Sequence, residues 1–166
     1  NIRKFEDKLL IRPAKKNVQV FLAKLRQRIR ENRGVSQMQL IGQLNPLLRG
    51  WTNYHRHIVA TRTFEKVEMV LFDSLWRWAK RRHSNKSAAW IFKRYWHRLE
   101  GRNEFAVRLD TTLQRKPEWL RVFAPGKVKI KRHIKVKADA NPLDPKWRGY
   151  FKNRAFFSWA TVKKSK

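Results

Sequence analysis

The sequence predicts a mainly α fold: a helical bundle followed by a small, basic α+β segment. Apolar residues recur at three- and four-residue spacing through most of residues 13–99, which is typical of helices with one buried face. Apolar and basic residues alternate within residues 127–137, which favours a strand. Hydrophobic residues make up 42% of the chain, and this fraction argues against disorder despite the high net charge.

The N-terminal region is predicted to be an extended piece followed by a long helix. Residues 2–12 read as extended, and Pro13 disfavours a helical conformation for the residue before it. The helix is expected to run from about Pro13 to Asn32, with Gly34 as its stop. Its first turn contains Ala14, which offers no side-chain cap. Its apolar face consists of Val18, Phe21, Leu22, Leu25 and Ile29.

Two helices are predicted between residues 36 and 58. Ser36 and Gln39 fit a capping box for a short helix that ends near Leu44. Asn45 can cap the next helix, because Pro46 then falls in the first turn, where a missing N–H has no cost. The apolar face of this second helix consists of Leu47, Leu48, Trp51, Tyr54 and Ile58.

A third long helix is predicted to begin at Thr63, with Glu65 in the first turn. Its apolar stripe consists of Phe64, Val67, Leu71, Leu75 and Trp78. It ends in the basic residues 80–83, and another helix begins near Ser87.

The tryptophans have two possible roles. The simplest interpretation of Trp51, Trp76, Trp78 and Trp90 is helical core, whereas Trp96 and Trp119 could equally be exposed stacking surfaces.

The pattern of apolar residues changes near residue 101 from helical spacing to strand-like alternation, so we expect two domains, residues 1–100 and 101–166. In the second, residues 104–109 form a short strand candidate, and residues 127–137 predict a strand with one apolar and one basic face. Asp144 followed by Pro145 indicates the start of a last helix.

The charge of the chain narrows the choice of partners. Lys and Arg number 41 against 12 Asp and Glu, a net charge of +29, and such self-repulsion favours binding to a polyanion. The basic residues are spread along the whole chain, which indicates an extended nucleic-acid contact. We expect no membrane partner, since no segment approaches the roughly 18 apolar residues of a spanning helix. The sequence contains no Cys, which excludes thiol catalysis and thiolate metal sites.

The residues offer no catalytic or metal-binding constellation. The acidic residues include no adjacent Asp-Asp pair, and Glu6 next to Asp7 is more simply a solvated pair. His55 and His57 would point to different sides of a helix, and no Cys or carboxylate cluster completes a ligand set. We therefore predict a segment that binds nucleic acid and catalyses nothing.

Two ordered motifs resemble the maturase-specific segment, domain X, of group II intron-encoded proteins. The first is the run Leu-Asn-Pro-Leu-Leu-Arg-Gly-Trp-Thr-Asn-Tyr-His-Arg-His at residues 44–57. The second is Leu-Trp-Arg-Trp-Ala-Lys-Arg-Arg-His at residues 75–83, followed by Asn-Lys-Ser and Tyr-Trp at residues 85–87 and 95–96. In addition, residues 8–32 resemble the entry into the family's thumb helices, and parts of residues 131–147 resemble its DNA-binding segment.

The resemblance implies that the parent protein is a reverse transcriptase and maturase of a retroelement. Such a protein helps intron RNA to splice and then inserts it into DNA by reverse splicing, a process called retrohoming. The implied partners are the group II intron RNA, the target DNA and the upstream polymerase fingers and palm, with a dimer possible. We expect no cofactor in this segment, since Mg²⁺ belongs to the ribozyme core and to the absent palm. Because the chain opens on Asn1, we expect a fragment; its expected location is a bacterial cytoplasm or an organelle, in the intron ribonucleoprotein.

Charge and resemblance together give two sets of candidate contact residues. Those predicted to contact RNA are Lys15, Lys16, Lys24, Arg28, Arg49, Trp51, Tyr54, His55, Arg56, His57, Arg77, Lys80, Arg81, Arg82, His83, Lys86, Lys93 and Arg94. Those predicted to contact DNA are Lys127, Lys129, Lys131, Arg132, His133, Lys135, Lys137, Lys146, Arg148, Lys152 and Arg154. Two alternatives remain open: a basic RNA-binding protein of ribosomal type, and a nuclease or recombinase subunit completed by residues outside the chain.

Overall fold

The computed structural model describes residues 2–6, 8–109, 118–131, 136–137 and 139–153. Its helices and strands form a helix-rich fold with two small antiparallel sheets, β1-β2 and β3-β4-β5. The predicted mainly α fold with a small β part is confirmed at this level. The elements are β1 (Ile2–Phe5), β2 (Lys8–Ile11), α1 (Lys15–Glu31), α2 (Gln37–His55), α3 (Thr61–Arg82), α4 (Ala88–Tyr95), β3 (Trp96–Leu99), β4 (Arg102–Leu109) and β5 (Glu118–Arg121).

Helix α1 matches its prediction closely. It begins at Lys15 after Ala14, which makes no side-chain capping bond. At the other end the side-chain Nδ2 of Asn32 donates to the carbonyl of Arg28 at 2.7 Å, which satisfies one of the free carbonyls at the helix end. All the residues of the predicted apolar face are buried, namely Val18, Phe21, Leu22, Leu25 and Ile29.

Helix α2 is one continuous helix, so the predicted break at Asn45 is wrong. The capping box at Ser36 and Gln39 is confirmed, but the helix then continues through Pro46. Pro46 cannot donate to the carbonyl of Gly42; both residues are exposed, so water can satisfy that carbonyl. Asn45 serves a different purpose from the predicted cap, because its side chain binds the backbone of another element.

Asn45 joins α2 to the end of β5. Its Nδ2 donates to the carbonyl of Arg121 at 3.0 Å, and its Oδ1 accepts from the backbone N–H of Phe123 at 2.7 Å. Near the start of α2, Gln37 Nε2 donates to the carbonyls of Tyr95 and Ala106. These amides satisfy backbone groups of the sheet and hold it against α2.

Helix α3 begins at Thr61 after Ala60, and the predicted cap at Thr63 is wrong. The N–H of Phe64 already donates to the carbonyl of Ala60 at 2.8 Å, so Thr63 lies inside the first turn. The predicted stripe is confirmed, since Phe64, Val67, Leu71, Leu75 and Trp78 are all buried. The predicted start of α4 is also confirmed, because the Ser87 side chain accepts from the N–H of Trp90.

The sheet β3-β4-β5 closes one side of the helical core. A two-residue turn at Glu100 and Gly101 joins β3 to β4, with φ values of 51° and 80°, as a tight hairpin turn requires. Trp96 at the start of β3 is buried and contacts Phe105 of β4 edge-on. Of the two alternatives for Trp96, the structure therefore favours the core.

Six charged residues form a sheet-side ion network between α3, the sheet and the 3-10 turn Pro125–Lys127. Arg121 bonds Glu100 at 2.9 Å and Glu104 at 3.4 Å, and Arg102 bonds Glu68 at 2.7 Å. Glu68 also accepts from the N–H of Gly126 at 2.8 Å. The members of the network are Glu68, Glu100, Glu104, Arg102, Arg121 and Lys127, of which Lys127 bonds both Glu100 and Glu104.

Residues 1–132 and 133–166 form two separate compact units. The boundary predicted near residue 101 falls in the turn between β3 and β4, and a functional division there stays a prediction.

The strand predicted over residues 127–137 is wrong where it is described, since residues 128–131 and 136–137 are not in a strand. The N–H of Val128 donates to Pro125 and that of Lys131 to Arg56, so the backbone makes turn and loop bonds. Residues 132–135 lie outside the described residues.

The second unit contains the predicted cap at Asp144. Its side chain accepts from the N–H of Lys146 at 2.9 Å, which confirms the cap. A 3-10 turn, Pro145–Trp147, follows, and residues 148–153 are helical.

Candidate nucleic-acid interface

A groove between α1 and α3 concentrates positive charge. It encloses about 470 Å³, and two pairs of arginines spaced one helical turn apart face it, Arg26 with Arg30 on α1 and Arg77 with Arg81 on α3. We call it the arginine groove. Its lining residues are Arg26, Ile29, Arg30, Arg33, Ser74, Arg77, Trp78, Arg81 and Arg82.

The floor of the groove is held rigidly by Trp78. Its ring is buried and contacts Tyr95 and Phe105 edge-on. Its indole Nε1 donates to the carbonyl of Asn32 at 2.8 Å, which ties α3 to the loop after α1. Because the indole donor has a partner and the ring is packed, the two walls are fixed relative to each other.

Arg82 is held in place by contacts within the protein. Its Nη1 donates to the carbonyls of Arg33 at 2.9 Å and Val35 at 2.7 Å. Its guanidinium lies over the Trp78 ring at 4.7 Å from the centroid. These contacts fix the plane of the guanidinium before any partner binds, which lowers the entropy lost on binding.

The six arginines of the groove pair with no carboxylate among the residues that the structure describes. Within the described ranges, every ion pair involves Glu68, Glu100 or Glu104, and none involves a groove arginine. An arginine stays protonated at any physiological pH, and its planar fork suits phosphate oxygens. The groove therefore has the charge and the hydrogen-bond donors that suit an anionic ligand.

The structure brings three predicted RNA contacts together in this groove: Arg77, Arg81 and Arg82. It adds Arg26, Arg30 and Arg33, which the sequence did not single out as site residues. The signal that could have found them is the i, i+4 spacing of Arg26 and Arg30 on the polar face of α1. Five further predicted contacts are exposed around the groove helices, Lys15, Lys16, Lys24, Arg28 and Lys80.

The predicted contacts near the end of α2 divide between core and surface. Tyr54 is exposed, but Trp51 stacks on Phe21 at 4.4 Å and is half-buried. His55 is only 6% exposed, and burial lowers its pKa. His55 therefore lies in the protein core and not at the surface, and its predicted contact with RNA stays a prediction.

The remaining contacts predicted in this region meet the loop after the sheet. His57 Nδ1 lies 2.8 Å from the carbonyl of Lys131, whose N–H donates to the carbonyl of Arg56. Arg49 lies over the Phe123 ring at 5.6 Å. Arg49 and Lys131 are both exposed, whereas Arg56 and His57 are half-buried.

A second aromatic and basic cluster lies where α3 passes to α4. His83 Nε2 lies 2.9 Å from the Tyr95 hydroxyl, and the Trp90 ring contacts His83 at 4.9 Å. Lys86 lies over the Trp90 ring at 5.6 Å. Trp90 is 41% exposed, which corrects its interpretation as helical core. The exposed predicted contacts Lys93 and Arg94 lie on α4.

The predicted DNA contacts are placed only in part. Lys127 is engaged by the sheet-side ion network, whereas Lys129 and Lys131 are exposed. In the second unit Lys137 lies over the rings of Trp147 and Tyr150. Lys146, Arg148 and Lys152 are exposed there. Arg132, His133, Lys135 and Arg154 lie outside the described residues.

Two other kinds of site are absent from the described part of the chain. No three His, Asp or Glu side chains come together there as a group that could hold a metal ion. No helix among the described residues is long and apolar enough to cross a membrane.

Comparison with known proteins gives the segment that contains the groove a similarity to one family model. Residues 18–96 match the model described as the group II intron, maturase-specific domain. The chain is also 26% identical over 102 residues to the ribosomal operon-associated A protein of Euglena gracilis. That alignment covers 58% of this chain and 19% of the relative, so the chain spans about a fifth of the relative's length.

Proposed function

We propose that this chain is the nucleic-acid-binding C-terminal part of a group II intron maturase and reverse transcriptase. In this role it binds folded intron RNA and so promotes splicing. The observation that carries the proposal is the arginine groove, whose six guanidiniums pair with no described carboxylate and all lie within the matched residues 18–96. A folded RNA supplies the dense phosphate charge that such a site needs.

The mechanism we propose is a rigid clamp. Burial of the α1, α2 and α3 apolar faces fixes the helices, at about 1.5–3 kcal/mol for each large side chain. The basic residues are thereby held in one arrangement before the RNA arrives. Preorganised charges lose less entropy on binding than flexible ones. The buried core therefore raises the affinity for an RNA whose shape matches the fixed arrangement of charges.

The proposal extends to residues beyond the groove. Residues after about 101 would contact target DNA during reverse splicing and retrohoming, through exposed cations such as Lys129, Lys131, Lys146 and Lys152. The segment itself would be non-catalytic, with Mg²⁺ acting at the ribozyme and at the polymerase palm. Its partners would be the intron RNA, the target DNA and the polymerase domains of the same polypeptide, in a bacterial or organellar ribonucleoprotein.

The RNA part of the proposal is tested by filter binding to a group II intron transcript with excess tRNA as competitor. We expect the intron transcript to be retained, and the triple variant Arg26→Ala, Arg30→Ala, Arg77→Ala to lose most of this binding. The slope of log affinity against log salt should flatten by about 0.7–0.9 for each lost phosphate contact.

A matched control removes the same charge elsewhere. The triple variant Arg62→Ala, Lys66→Ala, Arg98→Ala removes three exposed cations outside the groove. It should lose far less affinity for the intron transcript. Equal loss in both triple variants, or equal binding of tRNA and intron RNA by the unaltered chain, would contradict the proposal and favour a general RNA-binding protein of ribosomal type.

The DNA part has a separate test. The variant Lys129→Ala with Lys131→Ala should weaken binding to duplex DNA more than binding to intron RNA. In the parent protein it should impair DNA insertion more than splicing. The same loss for both nucleic acids would contradict the proposed division of function.

A further inference from the structure

We infer that the arginine groove takes an unpaired stretch of RNA, with one base stacked on Arg82. The inference rests on the proposed function, because it specifies which part of an RNA enters the site. It follows from the size of the groove, the placement of its charges and the position of one guanidinium.

The size of the groove suits a single strand better than a double helix. Its volume of about 470 Å³ falls in the range of sites that hold one small organic molecule, and one or two nucleotides fit that range. The base pairs of an RNA duplex are stacked inside a much wider body. A duplex could therefore touch only the rims, whereas a single strand can enter.

The charges of the groove lie on both of its walls. Arg26 and Arg30 line the α1 wall, and Arg77 and Arg81 line the α3 wall. A single strand that lies between the walls presents phosphate oxygens to both, and each guanidinium can then make charge-assisted hydrogen bonds.

Arg82 supplies a surface for the base. Its guanidinium carbon lies 4.7 Å from the centroid of the Trp78 ring, and its Nη1 is held by the carbonyls of Arg33 and Val35. Arg82 is exposed and lines the groove, so the side of the guanidinium away from Trp78 can meet a ligand. Unpaired RNA bases stack on arginine planes in this way, and a lysine offers no such plane.

Ser74 adds a polar contact of defined direction. Ser74 lines the groove, and its hydroxyl donates to the carbonyl of Val70 at 2.7 Å. Toward a ligand, the hydroxyl oxygen can therefore act only as an acceptor. A base amino group or a ribose 2′-hydroxyl provides the matching donor. Free phosphate or polyphosphate at neutral pH offers mainly acceptors and would leave this oxygen unmatched.

The test compares four competitors of equal length for the chain bound to a labelled single-stranded RNA. The competitors are an unstructured RNA, the corresponding duplex RNA, an abasic oligomer and inorganic polyphosphate. The assay is run at a salt concentration at which the triple variant Arg26→Ala, Arg30→Ala, Arg77→Ala no longer retains the label, so that binding reports the groove. We expect the unstructured RNA to compete at least about ten-fold better than the duplex and at least about five-fold better than the abasic oligomer, since stacking of a base adds affinity.

Two variants separate stacking from charge. Arg82→Lys keeps the charge but removes the guanidinium plane, so it should lower affinity for the unstructured RNA more than affinity for the abasic oligomer and abolish the advantage of the former. Ser74→Ala keeps every arginine contact and should reduce only the binding of competitors that carry bases or 2′-hydroxyls, by about two- to three-fold, as expected for one neutral hydrogen bond. Thermal melting of each variant verifies that it is folded.

Two results would overturn the inference: duplex RNA or polyphosphate competing as well as unstructured RNA, or equal binding of the base-containing and abasic oligomers. Either result leaves the proposed function intact if the chain still prefers the intron transcript over tRNA. Conversely, loss of that preference contradicts the proposed function whatever the competitors show, so the two failures are distinguishable.

Discussion

The arginine groove and the sheet-side ion network are both built around arginines, yet they use them in opposite ways. In the network, Glu68, Glu100 and Glu104 bond Arg102, Arg121 and Lys127. In the groove, six guanidiniums face a cavity, and no carboxylate pairs with them among the described residues. The chain has only 12 acidic residues. Three of them pair with the cations of the network, and these pairs stabilise the fold, whereas the groove cations are left for an anionic ligand.

The two regions also differ in what holds them together. The network joins α3 to the sheet through side-chain ion pairs, and its charges balance locally. The groove is held by contacts that involve no carboxylate, the Trp78 indole bond to Asn32 and the Trp78 ring beneath Arg82. These contacts keep the shape of the groove and leave its positive charge without a counter-charge from the described residues.

The difference between the two regions is tested most directly by reversing one charge in each. Arg77→Glu should weaken binding to the intron transcript about 10- to 100-fold, since it removes a charge-assisted contact worth about 1.5–3 kcal/mol. Its free energy of unfolding should change by no more than about 0.5 kcal/mol. Filter binding and urea unfolding measure the two quantities.

The matched change Arg102→Glu alters the net charge equally but places a carboxylate against Glu68. It should lower the free energy of unfolding by about 1 kcal/mol, because the pair is partly exposed. RNA affinity should change much less than in Arg77→Glu. If the two variants lose the same affinity, the groove has no special role.

Glu104→Gln tests the network at a buried member, whose side chain is only 8% exposed. The change leaves Arg121 and Lys127 with less counter-charge and should cost about 1–3 kcal/mol of stability. RNA affinity should stay within about two-fold at a temperature where the variant is folded, because the network lies outside the groove. A large loss of RNA affinity in a folded Glu104→Gln protein would place the network in the interface.

Asn45→Ala tests how the sheet is held against α2. The Asn45 amide makes two hydrogen bonds to the backbone around β5, and their removal should cost about 1–2 kcal/mol. The midpoint of urea unfolding measures the loss. The matched control is Gln43→Ala, an exposed polar change two residues earlier on the same helix, which should be nearly neutral. Similar midpoints for the two variants would mean that the Asn45 bonds contribute little.

The smallest expected effect is a dependence of stability on pH. Burial lowers the pKa of His55 below its ordinary value of 6.5; burial first and then the charge of Arg94 lower the pKa of His97. As pH falls below about 6.5, the unfolded chain binds protons that the folded chain resists, so the free energy of unfolding decreases. Urea midpoints on either side of this pH measure the decrease.

The variant His55→Phe should show a smaller decrease over the same interval. The hydrogen bond from Arg121 is the main cause of the lowered pKa of Glu100. The free energy of unfolding that this pair contributes is therefore lost only at more acid pH, below the pKa of glutamate in the unfolded chain. An equally steep decrease in His55→Phe would show that His55 is not the titrating group.

Much of the fold could be predicted because its signals are local. The apolar face of α1, the capping box at Ser36 and the cap at Ser87 each depend on residues within a few positions of one another. The wrong prediction at Asn45 has the opposite origin. Asn45 has the chemistry of a cap, but its partners, Arg121 and Phe123, are far away in the sequence.

The site was harder to predict for the same reason. Arg77, Arg81 and Arg82 stand out as a basic run, whereas Arg26 and Arg30 look like an ordinary solvated helix face. Only the packing of α1 against α3 turns these residues into one groove.

The alternating pattern after residue 127 shows how a local signal can mislead. Pro125 starts a 3-10 turn, and the backbone N–H of Lys131 donates to Arg56 rather than to a neighbouring strand. Period-two alternation describes which side chains are apolar, but a strand also needs a partner for its backbone.

The hydrogen bond from the Trp78 indole to Asn32 has a consequence for selectivity. Asn32 also binds Arg28 through its side chain, so the distance between the helices is anchored from the inside of the protein. Spreading the two helices to admit a thicker ligand would first require breaking the indole bond and unstacking Arg82. The width of the groove is therefore fixed, and an anionic ligand that is too thick to enter is excluded although the charge of the groove attracts it.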